Sequence, residues 1–365
     1  MATTAHTYKG SKMSYQVTIE PVGITIDVEE DQTILDAALR QGVWLPFACG
    51  HGTCGTCKVQ VTDGFYDVGE ASPFALMDIE REENKVLACC CKPESDMVIE
   101  ADIDEDEDFL GYLVQDYQAK VLDIQQLSPT IKGIRLQIDR PMEFQAGQYI
   151  NIQFPEIEGT RAFSIANPPS EEGIIELHIR QVQGGAATTY VHDTLKVGDE
   201  LAVSGPYGQF FVRKSDEKDA IFIAGGSGLS SPQSMIFDLL EQGDTRTIYL
   251  FQGARDVSEL YNHEVFETLV KDYPNFRYIP ALNAPKAEDN WTGFTGFVHE
   301  AVADYFENKC SGHKAYLCGP PPMIDAAIST LMQSRLFEKD IHTERFLSAA
   351  DGASSESRSA LFRHI

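Results

Sequence analysis

The sequence predicts a multidomain chain of mixed class: a small α+β module, then an antiparallel β-barrel, then a parallel α/β domain. Three observations carry that prediction. A loop dense in glycine and cysteine lies within the first part of the chain. An acidic run, Asp102-Ile103-Asp104-Glu105-Asp106-Glu107-Asp108, then interrupts the pattern. Beyond it, apolar residues recur first at period two and then, from Ala220 onward, as apolar strands alternating with amphipathic helices. At 365 residues the chain has room for two or three domains of roughly 100–150 residues each.

Residues 1–12 read as a polar extension without the apolar core of a secretory signal. Residues 13–103 form the first module. Its strands Tyr15 to Ile19 and Ile24 to Val28 are parted by Pro21 and Gly23, and a helix follows from Ile34 to about Arg40. Thr33 suits the N-cap of that helix and Gly42 its end. Residues 104–114 are an acidic linker, because like charges repel along the run and no apolar periodicity supports an element there. Residues 115–214 hold alternating strands such as Ile134 to Ile138 and Tyr149 to Phe154, the pattern of a small antiparallel barrel. Residues 215–347 alternate strands (Ile221 to Ala224, Ile248 to Phe251, Ala315 to Cys318) with helices near 232–241, 257–269 and 323–333, as a parallel sheet requires. Residues 348–365 are a tail rich in serine and alanine.

The net charge is -27, and residues 1–112 carry 22 acids against 7 bases. Such a surface repels nucleic acid and anionic membranes and favours a partner with a basic face, although acid placed only for solubility is an equal reading. No apolar run approaches the roughly 20 residues that span a bilayer. Eight cysteines without a signal point to a reducing cytoplasm, and their bunching to ligation rather than disulfides.

The loop Cys49-Gly50-His51-Gly52-Thr53-Cys54-Gly55-Thr56-Cys57, with Cys89 downstream, has the C-x4-C-x2-C…C spacing of a plant-type [2Fe–2S] site. Four thiolates must converge on two irons while backbone amides point at sulfur, and the glycines allow that close approach. Structural zinc, the competing reading, favours paired short spacings. Cys90 and Cys91 adjoin Cys89. In an extended segment Cys90 would face away and Cys91 would return to the same face about 7 Å further along, which makes Cys91 the expected substitute.

Residues 15 to 100 resemble a plant-type ferredoxin. The chain from Met13 onward resembles the reductase components of bacterial multicomponent aromatic oxygenases, that of multicomponent phenol hydroxylase above all. Trp44-Leu45-Pro46-Phe47-Ala48 and Gly69-Glu70-Ala71-Ser72-Pro73-Phe74-Ala75-Leu76 carry the likeness more specifically than cysteine spacing does. The resemblance implies a β-grasp ferredoxin module, an FAD-binding barrel and a nicotinamide nucleotide domain. It also favours Cys89 as fourth ligand, since Val86-Leu87-Ala88 precedes it as in ferredoxins.

A flavin dinucleotide needs a cation for its pyrophosphate, an aromatic plate and a hydroxyl near N5. The strand Arg161-Ala162-Phe163-Ser164 offers all three, and the resemblance assigns them to Arg161, Phe163 and Ser164 in that order. The family more often has Tyr at Phe163. His178 and Arg180 share one face of the next strand, and Gly184, Gly185 and Thr188 open a helix whose free amides suit phosphate. His178 reads equally as a flavin contact or a satisfied core histidine.

Ala224-Gly225-Gly226-Ser227-Gly228, Gly253-Ala254-Arg255 and Cys318-Gly319-Pro320 each follow an apolar strand, where ligands bind in open α/β sheets. The flavin and nucleotide parts resemble the ferredoxin–NADP reductase superfamily, and that resemblance implies these positions for nicotinamide, ribose and adenine, although Cys318 also suits a plain buried thiol. Arg255 offers a charge for a 2′-phosphate, which Asp256 and Glu259 oppose, so NADH is expected. Phe346 stands where relatives stack an aromatic on the flavin, and core packing is an equal reading. No acid–base or nucleophile constellation is needed, since FAD, the cluster and NADH carry the chemistry. The expected partner is the diiron oxygenase component of a phenol or aromatic hydroxylase. A Rieske dioxygenase and a non-turnover redox sensor are the alternatives.

Overall fold

The computed structural model describes residues 13–103 and 106–346. The polar extension 1–12, residues 104 and 105 of the acidic linker, residue 347 and the tail 348–365 lie outside the described residues. The chain divides into two compact units, Met1–Val114 and Gln115–Ile365.

In the first unit the hairpin Ser14–Glu20 and Ile24–Glu29 joins Met97–Glu100, Lys58–Asp63 and Lys85–Leu87 in one five-stranded mixed sheet. Val17, Ile19, Ile26 and Val28 alternate with exposed residues and bury one face. The helix Ile34–Arg40 packs Ile34, Leu35, Ala37, Ala38 and Leu39 inward. Seven residues are too few for a helix to stand alone, so packing and caps hold it. Thr33 Oγ1 accepts from the Asp36 amide at 3.3 Å. At the other end Gln41 exchanges two hydrogen bonds with the Asp27 backbone, at 2.7 and 3.0 Å. After the acidic run the chain is anchored: Phe109 meets Trp44 edge-on, with ring centroids 4.6 Å apart.

The second unit begins with six antiparallel strands: Gln115–Ser128, Ile131–Ile138, Tyr149–Gln153, Thr160–Ser164, Ile174–Arg180 and Glu200–Tyr207. A bridge between Ile165 and Leu177 joins the two outer strands and closes the sheet into a barrel. Val121, Leu136, Ile150, Leu177 and Val203 fill it.

A second six-stranded sheet follows, parallel throughout. Its order is Phe294–Thr295, Phe276–Leu282, Ile248–Ala254, Asp219–Gly225, His313–Gly319, Ile341–Arg345. Phe222, Leu250 and Tyr316 pack with Met235 and Phe266 from helices Ser230–Glu241 and His263–Asp272. Ile221, Ile223 and Leu317 pack with Val302 and Ile328 from helices Val298–Tyr305 and Pro321–Gln333. Both faces are therefore buried, which explains the unbroken apolar runs of the central strands. The helix expected over 257–269 is divided. A 3-10 turn, Val257–Glu259, is capped by Asp256, and Asn262 in a left-handed conformation (φ 58°) restarts the chain as His263–Asp272. Tyr261 sits in the corner between them.

Candidate functional site

In the first unit the loop 49–57 is held over the sheet by the segment that follows it, through a Ser72 amide to Gly52 carbonyl bond of 2.9 Å. The four expected thiols arrive as two pairs. Those of Cys49 and Cys54 hydrogen-bond each other, and those of Cys57 and Cys89 lie 3.2 Å apart. Amides point at sulfur: Cys49 and Thr56 donate to Cys54 Sγ at 3.5 Å each, and Gly52 donates to Cys89 Sγ at 3.2 Å. Two pairs, with amides aimed at the sulfurs, fit a binuclear cluster in which each iron takes two protein thiolates. His51 is exposed and its ring bonds the Cys49 carbonyl.

The residues after Cys89 depart from the extended geometry. The Cys90 and Cys91 amides both donate to the Leu87 carbonyl at 2.9 Å, so the chain turns here. The turn reverses the expected roles of the two neighbours. Cys90 Sγ lies 3.7 Å from Cys89 Sγ on the loop side, whereas Cys91 is fully buried, with its thiol pushed up to about 12 chiefly by burial. Cys90, not Cys91, is the nearer substitute.

In the barrel, Phe163 packs edge-on against Phe154, which also touches Tyr190 of the helix Ala186–Asp193. The strand Thr160–Ser164 and that helix are thereby brought to one region. The helix's first amides lack intrahelical partners. Gly184 has open space where a side chain would stand, and Thr188 Oγ1 accepts from the Val182 amide at 3.1 Å. Open amides beside an aromatic ring fit a flavin dinucleotide's pyrophosphate and ring. Arg161 and Ala162 are exposed, and the Arg161 guanidinium reaches the Glu158 and Thr160 carbonyls on its own stretch of chain. Arg180 lines the nucleotide cleft described next, and a side chain on Gly226 would meet its guanidinium at 3.2 Å.

The carboxyl ends of the three adjacent strands Ile248–Ala254, Asp219–Gly225 and His313–Gly319 open on a cleft of about 190 Å³. Gly225, Gly226, Gly253, Arg255 and Pro320 line it. Register places Gly225 opposite Gly253, and Ala224 opposite Cys318. Ser227 and Gly228 lie buried in the turn Gly226–Leu229 that leads into the helix. Gly228 must be glycine for proximity, since a Cβ there would stand 2.4 Å from the Cys318 carbonyl oxygen and 2.5 Å from Gly319 Cα. Glycine-lined strand ends fit the close approach of a dinucleotide. Arg255 is ion-paired through both Nε and Nη2 with Glu259, and Asp256 with Lys286.

One residue of this site was not assigned from sequence. Glu344 Oε2 accepts from Ser164 Oγ at 3.0 Å, Ser231 Oγ at 2.6 Å and Cys318 Sγ at 3.5 Å, tying the barrel strand to the nucleotide domain. Burial pushes this carboxyl up, against three donors that draw it down, and pushes the Cys318 thiol up as well. The only signal in sequence was an acid two residues before Phe346; its partners lie 26 to 180 residues away. Phe346 is half-buried on the core of the nucleotide domain, with its amide on the Gly319 carbonyl at 3.0 Å.

Comparison with known proteins follows the same division. A family model for the 2Fe–2S iron–sulfur cluster binding domain matches residues 17–94, one for the oxidoreductase FAD-binding domain 118–212, and one for the oxidoreductase NAD-binding domain 222–328. A phenol hydroxylase P5 protein of Acinetobacter pittii is 86% identical, over 97% of this chain and 100% of its own. The reductase component of a Pseudomonas phenol 2-monooxygenase is 67% identical over the same shares. Among solved structures, the Amycolatopsis reductase GcoB superposes with a TM-score of 0.84 at 32% identity, covering 91% of this chain and 98% of that one. The ferredoxin reductase in carbazole 1,9a-dioxygenase gives 0.79 at 26%, covering 93% and 100%.

Proposed function

This chain belongs to the family of iron–sulfur flavoprotein reductases that includes the reductase components of phenol hydroxylases, and from that premise we propose that it passes electrons from NADH to the diiron oxygenase of a multicomponent phenol hydroxylase. The observation that carries the reading is the full-length likeness to two phenol hydroxylase proteins, at 86% and 67% identity, over a chain holding all three sites. The carbazole relative, at 26%, serves a dioxygenase, and the drop in identity favours the phenol oxygenase as acceptor here.

When bound, FAD accepts hydride from NADH and the [2Fe–2S] cluster carries electrons onward one at a time. The residues of this chain position those groups. We assign Cys49, Cys54, Cys57 and Cys89 to the cluster, with the amides of Cys49, Gly52 and Thr56 donating to sulfur and so favouring the more negative reduced form. We assign Phe163, Ser164, Gly184, Gly185 and Thr188, with Arg161, to FAD. Gly225, Gly226, Gly228, Gly253, Gly319 and Pro320 are assigned to the nucleotide, joined there by Arg180. Ser164, Cys318 and Glu344 meet where barrel and nucleotide domain adjoin, the place for a flavin's reacting edge. Because Glu259 occupies the Arg255 guanidinium, a 2′-phosphate would have to displace a carboxylate, which supports NADH over NADPH.

No helix among the described residues is long and apolar enough to cross a membrane. We place the protein in the cytoplasm, where its thiols stay reduced for cluster assembly. The test of function is anaerobic titration with NADH, watching flavin absorbance and the cluster's EPR signal, beside metal and flavin analysis. About two irons and one FAD per chain are expected, both reduced by NADH. Zinc in natively expressed protein, or a flavin that NADH leaves oxidised, would overturn the reading.

A further inference from the structure

A chain of hydrogen bonds, buried at its centre, ties the glycine loop of the nucleotide cleft to the barrel, and none of the three sites accounts for it. Glu176 and His178 are two residues apart on the strand Ile174–Arg180 and so share a face. Arg135, on the paired strand Ile131–Ile138, donates to Glu176 Oε2 at 2.9 Å. His178 Nε2 lies 3.0 Å from Glu176 Oε1. Its other nitrogen, Nδ1, lies 3.2 Å from the Tyr261 hydroxyl, which is also 3.1 Å from the Gly226 carbonyl. The two rings meet edge-on at 5.2 Å. His178 and Tyr261 are each 4% exposed, so water does not compete for the bond between them.

The chemistry of the groups limits who donates. A carbonyl and a carboxylate only accept, a phenol has a single proton, and a neutral imidazole has one N–H. With His178 Nε2–H donating to Glu176, the Tyr261 hydroxyl stands between two acceptors, His178 Nδ1 and the Gly226 carbonyl, and its proton serves that pair. Both ring nitrogens of His178 are then occupied, which leaves none for a flavin. Tyr261 is held at its backbone as well. Its carbonyl accepts from Gln252 Nε2 at 3.0 Å, and the adjacent Asn262 donates to Gln233 Oε1 at 2.7 Å. Gln233 in turn donates to the Ala166 carbonyl beside the barrel, at 3.2 Å. Gly226 has a φ of 56° and no side chain, so its carbonyl is the available handle on the loop.

We infer that Tyr261, oriented by His178, is a positioning residue for hydride transfer: its hydroxyl holds the Gly226 carbonyl and thereby sets the nicotinamide loop against the barrel that carries the flavin. The inference rests on the reading of the cleft as the NADH site.

Tyr261→Phe removes the hydroxyl and leaves the ring in place, and His178→Leu removes the group behind it. In the full-length, FAD-loaded protein, both variants should keep the wild-type flavin content and cluster EPR signal. Without nucleotide, amide hydrogen exchange at 225–229 should accelerate about tenfold in each, while 34–40 stays unchanged. In stopped flow the limiting rate of flavin reduction by NADH should fall about tenfold, with the NADH dissociation constant moving less than about threefold. The double variant should lose no more than either single one, because the two residues act as a unit. Wild-type exchange and reduction rates in Tyr261→Phe would overturn the inference, and so would losses that multiply in the double variant. Loss of FAD in His178→Leu but not in Tyr261→Phe would make His178 a flavin ligand and overturn it too. Should His178→Leu fail to fold, Tyr261→Phe alone decides. A wild-type protein that NADH cannot reduce refutes the function itself and the inference with it, and that result appears before any variant is made.

Discussion

Gly228→Ala is the smallest change that should separate nucleotide handling from the rest of the molecule. The new methyl would lie 2.4 Å from the Cys318 carbonyl oxygen and 2.5 Å from Gly319 Cα, whereas ordinary contact begins at 3.4 Å. Both obstacles are backbone, so no side chain can rotate away, and the two glycine loops must part by about 1 Å. A displacement of that size at a reacting centre costs about 100-fold in rate, or about 2.7 kcal/mol of transition-state stabilisation. The limiting rate of flavin reduction by NADH should fall by about that factor in anaerobic stopped flow. FAD content and the cluster's EPR signal should not change, because the clash touches neither the cluster cysteines nor the barrel residues assigned to FAD. Gly243→Ala is the control for the added methyl: that residue has a positive φ, of 70°, and an added Cβ meets nothing within 4 Å. It should lose about 1 kcal/mol of stability from backbone strain and reduce flavin at the wild-type rate. If Gly228→Ala stays within twofold of wild type while Gly243→Ala behaves as expected, the close approach of the loops does not govern hydride transfer.

Three further outcomes follow from the site geometry. Cys89→Ser should retain part of the cluster through Cys90, whose sulfur is 3.7 Å away, and Cys89→Ser with Cys90→Ser should lose it; a full EPR signal in that double variant would show that another cysteine ligates. Glu259→Gln should raise the NADPH to NADH ratio of kcat/KM about fivefold, because an ion pair to a largely exposed arginine is worth about 1 kcal/mol at most; an unchanged ratio would remove Glu259 from selectivity. The rate of productive encounter with the oxygenase component should fall about tenfold as ionic strength rises from low to high, and a flat profile would assign the acid surface to solubility alone.

Much of this molecule was legible in sequence, because its signals are local. The spacing of Cys49, Cys54 and Cys57 and the glycines among them pointed to a binuclear cluster, since a thiolate loop must turn within a few residues. The helix Ile34–Arg40 and its Thr33 cap were readable for the same reason: capping acts over three residues. The change from period-two alternation to buried apolar strands marked the passage from barrel to parallel sheet, because burial on one face or two is written into each strand. Tertiary structure decided what depends on groups distant in sequence. Cys90 and Cys91 exchange their expected roles because both amides bond the Leu87 carbonyl and turn the chain, a choice among backbone conformations that side-chain spacing does not express. Arg180 faces the nucleotide cleft because the strand's face is set by which domain packs on it. Glu344 and Tyr261 acquired partners 26 to 180 and 35 to 83 residues away, and burial turns such contacts into strong ones by removing the water that would compete.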